Sequence, residues 1–140
     1  MLGTHLLKSW SVNQQHVALS SGEAEYYGLV RGVSQALGAK AVLKDLGIEI
    51  GIQALVDASA AVGIACRRGL GKVRHIELDQ LWLQSQVARG RVRVYKVPGD
   101  ENIADSLTKH STLQRIEQTV WYTNSQAVPG RHELVPSTAS

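Results

Sequence analysis

Three acidic side chains lie at points where the sequence predicts that a helix or a strand begins or ends: Glu25, Asp57 and Asp105. Carboxylate oxygens that converge without His or Cys suit Mg²⁺ or Mn²⁺. Two such ions about 3.5–4 Å apart can activate a water molecule and stabilise the leaving oxygen when a phosphodiester is cleaved. Spacing alone does not single out this chemistry, because many α/β domains scatter acids in the same way.

The first acid belongs to a predicted helix that opens at about Ser21. Ser20 can cap it, and Glu23 can reach back to complete a capping box. We expect Glu25 to lie at the edge of the core and Glu23 to point elsewhere, while acids in a first turn also simply favour the helix dipole. The apolar stripe behind the cap consists of Tyr26, Val30, Val33 and Leu37.

This helix is predicted to run to about Leu46, with Gly47 as its C-cap. Its interior glycines lower the helix propensity and could let a neighbouring element approach closely; they are Gly28, Gly32 and Gly38. The apolar run Ile52–Asp57 then reads as a strand that ends in an acid, and Ser59 is available to cap the next helix.

The rest of the chain alternates between the same two element types. Leu6–Leu19 reads as extended, a helix is expected over His75–Arg89 with Trp82 in the core, and Arg91–Val97 alternates as a strand. Asn102 can cap a short helix that buries Ile103 and Leu107, a further helix is expected to end near Trp121, and the polar residues after Thr123 are predicted to be disordered.

Positive charge is concentrated in one segment. From Ala58 to Gly99 eight cations face two acids, which gives +6, so the rest of the +3 chain carries −3. A basic segment beside an acidic site suits a polyanion such as nucleic acid, although a solvated mixed surface is the alternative. The cations are Arg67, Arg68, Lys72, Arg74, Arg89, Arg91, Arg93 and Lys96.

The amino-acid composition favours one globular domain in a reducing compartment. A chain of 140 residues with 44% hydrophobic and 19% charged side chains is typical of one globular domain. The single Cys66 excludes an internal disulfide and a cysteine metal cluster, which favours a reducing compartment, cytoplasmic or nuclear. No apolar run is long enough to span a membrane, and Met1 is not followed by a signal-peptide pattern.

Four motifs in consistent order resemble the ribonuclease H domain of copia-type retrotransposon Pol polyproteins. The match extends from about Ser9 to Lys109. Its motifs are Ala18–Leu29, the strand-then-helix acid in Val56–Ala61, the basic-His opening in Arg74–Leu78, and Val97–Pro98 with Ile103–Lys109.

The resemblance implies a mixed sheet flanked by helices, two divalent ions, and hydrolysis of the RNA strand of an RNA–DNA hybrid. Glu25, Asp57 and Asp105 would be the catalytic metal ligands, with Glu25 preferred over Glu23 because it precedes the run Tyr26–Leu29. The family's fourth ligand, an Asp on a first strand, has no acidic counterpart between Met1 and Gly22. We therefore expect a domain that lacks the first strand and turns over slowly or not at all.

The resemblance also implies partners. We expect contacts to an RNA–DNA hybrid or another nucleic acid, and an association with the reverse transcriptase portion of a polyprotein. The predicted nucleic-acid contacts are Arg67, Arg68, Lys72, Arg74 and His75. Two alternatives stay open, a module that binds nucleic acid without cutting it and a decayed remnant. The predicted division of the chain is a truncated domain at 1–110 followed by a short helix and tail at 111–140.

Overall fold

In the computed structural model, the described residues of the larger of two compact units form two short parallel strands and three helices. The structure describes residues 1–13, 17–69, 81–107 and 109–126. The larger unit spans residues 12–102, and the smaller one combines residues 1–11 with 103–140. The elements are α1 (Ser21–Asp45), β1 (Ile52–Val56), α2 (Ser59–Cys66), α3 (Trp82–Ala88), β2 (Val92–Lys96), a 3₁₀ helix (Ile103–Leu107) and α4 (Leu113–Tyr122).

The strands pair in parallel with Ile52 opposite Val92 and Val56 opposite Lys96. The backbone N–H of Val97 donates to the carbonyl of Val56 at 2.9 Å and so continues the ladder by one bond. Ile52, Val56 and Val92 are buried. Both predicted strands are therefore confirmed, and so is the α/β class. Because the strands are parallel, their carboxyl ends lie at the same edge.

Helix α1 forms where the sequence predicts it, because both of its ends are capped. The Ser20 hydroxyl accepts from the N–H of Glu23 at 3.2 Å, and the Glu23 carboxylate accepts from the N–H of Leu19 at 3.0 Å. This is the predicted capping box. At the other end Gly47 has φ +79°, and the N–H of Ile48 donates to the carbonyl of Leu43 at 2.8 Å. A glycine in this left-handed conformation terminates the helix as expected.

The core of the larger unit lies between these helices and the strand pair. Its fully buried large side chains are Tyr26, Leu83, Val33 and Val92. Helices α1 and α2 approach each other closely at Gly22, where an added Cβ would lie 2.6 Å from the Cβ of Ala60. Of the described glycines in α1, it is Gly22 that needs to lack a side chain, since a Cβ on Gly28, Gly32 or Gly38 would meet nothing within 4 Å.

Several local predictions are wrong. Leu6, Leu7 and Trp10 are exposed and, in the part of the chain that the structure describes, Leu6–Asn13 forms no strand. Side chains on both faces of this extended segment are exposed, so no buried face stabilises pairing.

Two helix-face predictions also fail. In α3 the completely buried residue is Leu83, whereas Trp82 is 37% exposed. In the 3₁₀ helix Leu107 is 48% exposed instead of buried.

The residue before α2 is Ala58 and it offers no side-chain cap, so the predicted cap by Ser59 is wrong.

The smaller unit is built around α4. Thr112 caps the helix by accepting from the N–H of Arg115 at 3.4 Å, and the Thr119 hydroxyl donates to the Ser106 hydroxyl at 3.1 Å. The helix ends at Tyr122, one residue from the predicted end. The predicted opening of α3 at His75 and most of the predicted disordered tail lie outside the described residues. The predicted division at residue 110 stays a prediction.

The contact between Gly22 and Ala60 predicts a matched pair of variants. Gly22→Ala should lower the free energy of unfolding by about 1–3 kcal/mol, because the new methyl group overpacks the joint. Gly28→Ala, on the same helix but with open space around it, should raise it by about 0.5–1 kcal/mol through helix propensity. Urea unfolding of both proteins measures the two values, and equal effects would contradict this packing.

Candidate functional site

Asp57 follows β1 directly and is half-buried at the carboxyl edge of the strand pair. One of its carboxylate oxygens lies 3.7 Å from the position that a Cβ on Gly99 would occupy. Gly99 belongs to the turn after β2, in which the N–H of Glu101 donates to the carbonyl of Pro98 at 3.0 Å. A glycine at this position leaves the space beside the carboxylate free of a side chain.

The opening of α1 contacts the helix that follows Asp57. Gly22 packs on Ala60, three residues after Asp57. The opening of α1, which carries the glutamates, therefore packs against the helix that follows Asp57. We call this contact between Gly22 and Ala60 the joint. The geometry of this joint is set by backbone packing, because neither Gly22 nor Ala60 has a side chain that can adjust.

The burial of the two glutamates of α1 is the reverse of what the sequence predicts. Glu23 is 3% exposed, and Glu25 is exposed. The reason is helical geometry: Glu23 precedes Tyr26 by three residues and falls near the buried stripe, whereas Glu25 precedes it by one and is rotated about 100° away. The expectation that Glu25 lies at the edge of the core is wrong. Its assignment as a metal ligand remains a prediction.

Asp105 belongs to the smaller unit, where two cations hold its carboxylate. The Lys109 ammonium lies 2.7 Å from Asp105 Oδ2, and an Arg115 guanidinium nitrogen lies 4.0 Å from the same oxygen. The Asp105 side chain is 18% exposed. The two cations offset the negative charge of this carboxylate where it stands.

Within the described ranges no group of three or more His, Cys, Asp or Glu side chains could hold a metal ion. Asp57 and the two glutamates lie in the larger unit and Asp105 in the smaller one. Glu25 lies in the second turn of α1, Asp57 directly after β1, and Asp105 in the middle of the 3₁₀ helix. Their assignment as metal ligands stays a prediction.

Two of the predicted nucleic-acid contacts are described, and they differ. Arg67 is half-buried with its Nε atom inside the protein, whereas Arg68 is exposed. Lys72, Arg74 and His75 lie outside the described residues. Arg93, also in the basic segment, is exposed on β2.

Arg67 approaches a buried tyrosine. Burial raises the pKa of Tyr26 to about 12, and the nearby positive charge of Arg67 lowers it by a smaller amount. The Arg67 side chain is therefore directed towards the protein interior, and Arg68 next to it is directed towards solvent.

Sequence reasoning missed Gln84. Its side chain is 7% exposed, and it bonds to the backbone of Ile64 and Gly69. A glutamine in an amphipathic helix gives no sequence signal for such a role, because its partner at residue 69 is fifteen positions away.

Comparison with known proteins gives one consistent result. The chain is 30% identical over 111 residues to the "Retrovirus-related Pol polyprotein from transposon RE2" of Arabidopsis thaliana. It is 29% identical over 111 residues to the Pol polyprotein from transposon RE1 of the same plant, and 30% identical over 104 residues to that from transposon TNT 1-94 of Nicotiana tabacum. The chain is thus similar to one segment of retrotransposon Pol polyproteins.

The aligned residues make up 72–77% of this chain and 8% of each Pol polyprotein. No family model matches the chain, and no solved structure matches it significantly. Of the helices in the described ranges, none combines the length and the apolar character needed to cross a bilayer.

The capping box predicts different effects of the two glutamates on stability. Glu23→Ala should lower the free energy of unfolding by roughly 1 kcal/mol or more, because the N–H of Leu19 loses its acceptor. Glu25→Ala should change it by less than about 0.5 kcal/mol, as is usual for an exposed side chain. Chemical unfolding of the two variants checks this, and a larger loss for Glu25→Ala would contradict the observed burial.

Tyr26 predicts how stability depends on alkaline pH. Its pKa of about 12 in the folded protein lies above the ordinary value of 10.0, so the folded state favours the neutral phenol. The resulting stabilisation is complete below pH 10 and is lost as the pH rises towards 12, on the order of 2 kcal/mol in total. Tyr26→Phe should reduce this loss when urea midpoints are compared at pH 8 and pH 11. The exposed Tyr122→Phe should behave like the parent, and an identical loss in Tyr26→Phe would refute the assignment.

Proposed function

We propose that this chain carries a metal-dependent site of the ribonuclease H type and hydrolyses the RNA strand of RNA–DNA hybrids. The observation that carries the proposal is Asp57, a half-buried carboxylate at the carboxyl edge of two parallel strands, beside Gly99 and joined through α2 to the acidic opening of α1. The similarity to retrotransposon Pol polyproteins supports it, because the four sequence motifs stand in the order expected for one domain of such proteins.

The donor chemistry fits Mg²⁺ or Mn²⁺. Asp57 and a glutamate of α1, both in the larger unit, offer hard oxygen ligands, and neither His nor Cys is needed. Asp105, in the smaller unit, is proposed as a further ligand on the resemblance alone. When bound, such ions supply an activated water and neutralise charge on the phosphate. The sequence motif favours Glu25 as the ligand from α1, whereas burial favours Glu23. The variants Glu23→Gln and Glu25→Gln distinguish the two.

The protein's own residues orient this site. The Gly22–Ala60 contact fixes the opening of α1 against α2, and the strand pair fixes the start of the turn at Gly99. Lys109 and Arg115 contact the carboxylate of Asp105. Because Lys109 is 66% exposed, its ammonium can leave the carboxylate at little cost when another cation binds.

The charge distribution supports a nucleic-acid substrate. The segment from Ala58 to Gly99 carries +6, and phosphate contacts dominate the affinity of proteins for nucleic acid. The predicted contacts Arg67, Arg68, Lys72, Arg74 and His75 all lie in this segment. The reverse transcriptase portion of a polyprotein remains the proposed protein partner.

Cleavage of a labelled RNA–DNA hybrid in the presence of Mn²⁺ tests the function. The unmodified chain should cut the RNA strand slowly and should leave the corresponding DNA duplex intact. Slow turnover is expected because the resemblance implies a fourth carboxylate that residues 1–22 do not contain. Asp57→Asn should reduce the rate by about 100-fold or more, since it removes a direct ligand. Asp45→Asn removes the same charge at the far end of α1 and should leave the rate unchanged.

Two outcomes would overturn the proposal. Binding of the hybrid without any cleavage would show a module that holds nucleic acid instead of a hydrolase. Cleavage that survives Asp57→Asn would show that the carboxylates are wrongly assigned.

The choice between the two glutamates has its own test. Glu23→Gln keeps the capping box, because glutamine also serves at that position, so its effect reports on charge and not on folding. Calorimetric titration with Mn²⁺ should show weaker binding in the variant that removes the ligand and unchanged binding in the other. If neither Glu23→Gln nor Glu25→Gln weakens binding, α1 supplies no ligand.

A further inference from the structure

The side-chain amide of Gln84 holds both backbone groups of Gly69. Its Oε1 accepts from the N–H of Gly69 at 2.8 Å, and its Nε2 donates to the carbonyl of Gly69 at 3.0 Å. The same Nε2 donates to the carbonyl of Ile64 in α2 at 2.8 Å. One buried amide thus joins α3 to the end of α2 and to the residue that follows the two arginines.

These bonds hold Gly69 in one of the several backbone conformations open to a glycine. Gly69 has φ +77°, in the left-handed region that favours glycine. Because buried polar groups are costly when their partners are lost, the amide and Gly69 stabilise each other's position. The two residues between Cys66 and Gly69 are therefore held at both ends, by α2 on one side and by Gln84 on the other.

The two arginines between these fixed points are directed differently. Arg67 is half-buried, and its charge acts on Tyr26 in the core. Arg68 is exposed. A side chain directed to solvent from a fixed backbone loses less freedom on binding phosphate than one on an unrestrained segment.

We propose that Gln84 is a positioning residue for nucleic-acid binding, which holds Gly69 so that Arg68 is presented to a phosphate of the bound strand. The inference rests on the proposed function and adds to it a residue that does not contact the substrate. Arg67, by contrast, serves the protein interior and makes a smaller contribution to binding than Arg68.

Coupling between Gln84 and Arg68 tests this proposal. A fluorescently labelled RNA–DNA hybrid is titrated in EDTA at several salt concentrations with the parent and the variants Gln84→Met, Arg68→Gln and the double variant. Arg68→Gln should reduce the slope of log K against log salt by about 0.9, the value of one phosphate contact. Gln84→Met should reduce it by a similar amount although it changes no charge, and the double variant should lose no more than Arg68→Gln alone.

Arg93→Gln is the matched control. It removes an exposed cation of the same segment that lies on β2 and not beside Gly69 in the chain, so its effect should be the same in the parent and in the Gln84→Met protein. Coupling to Arg68 without coupling to Arg93 cannot come from a general loss of folding. If the Gln84→Met protein does not melt cooperatively, Gly69→Ala replaces it, because a side chain at φ +77° strains the same turn while the amide remains.

Additive effects of Gln84→Met, or of Gly69→Ala, with Arg68→Gln would overturn the proposal and leave hybrid binding itself intact. A parent chain that does not bind the hybrid at all would overturn the proposed function instead. A larger loss of affinity from Arg67→Gln than from Arg68→Gln would show that the two arginines are wrongly assigned.

Discussion

The close contact between Gly22 and Ala60 is the constraint on which the larger unit depends. It places the start of α1 against the start of α2, with no room for a side chain between them. Since α2 follows Asp57 almost directly along the chain, the contact also sets the acidic helix end relative to the strand-end carboxylate. A joint of this kind resists small displacements, because packed backbone cannot be repacked by rotating side chains.

Two buried polar side chains also hold the ends of these helices in place. Glu23 accepts the N–H of Leu19 and fixes the entry to α1, and Gln84 bonds both backbone groups of Gly69 at the exit from α2. Both side chains are buried, so each specifies one arrangement of the chain more sharply than apolar contact would. The opening of α1 and the segment that carries Arg68 are thus held by contacts among the same three helices.

Sequence pattern predicted the elements well where the signal is local. The caps at Ser20 and Gly47, the strand that ends just before Asp57 and the turn at Pro98–Gly99 all depend on residues that are neighbours in the chain. Helix α4 was also foreseen, and its end lies within one residue of the expected one.

The wrong predictions concern burial and contacts. These depend on residues that are distant in the sequence, or on the exact direction of a side chain around the helix axis. Glu23 could have been recognised from its three-residue spacing to Tyr26, so that error was one of geometry. Trp82 and Leu83 are adjacent, and only packing against the rest of the unit decides which is buried. Gly22 needs its small size because of Ala60, and Gln84 depends on Gly69; neither pairing can be read from a single sequence.

The central claim is that a divalent ion binds at the edge formed by Asp57, Gly99 and the opening of α1. Paramagnetic broadening by Mn²⁺ tests it directly in the ¹⁵N-labelled chain. Substoichiometric Mn²⁺ should broaden the amide signals of Asp57, Gly99 and Glu23 first and should spare Lys44 and Leu46, which lie about 30 Å along α1. Broadening that instead centres on Glu49 or Glu117, or that is equal throughout the chain, would contradict the claim.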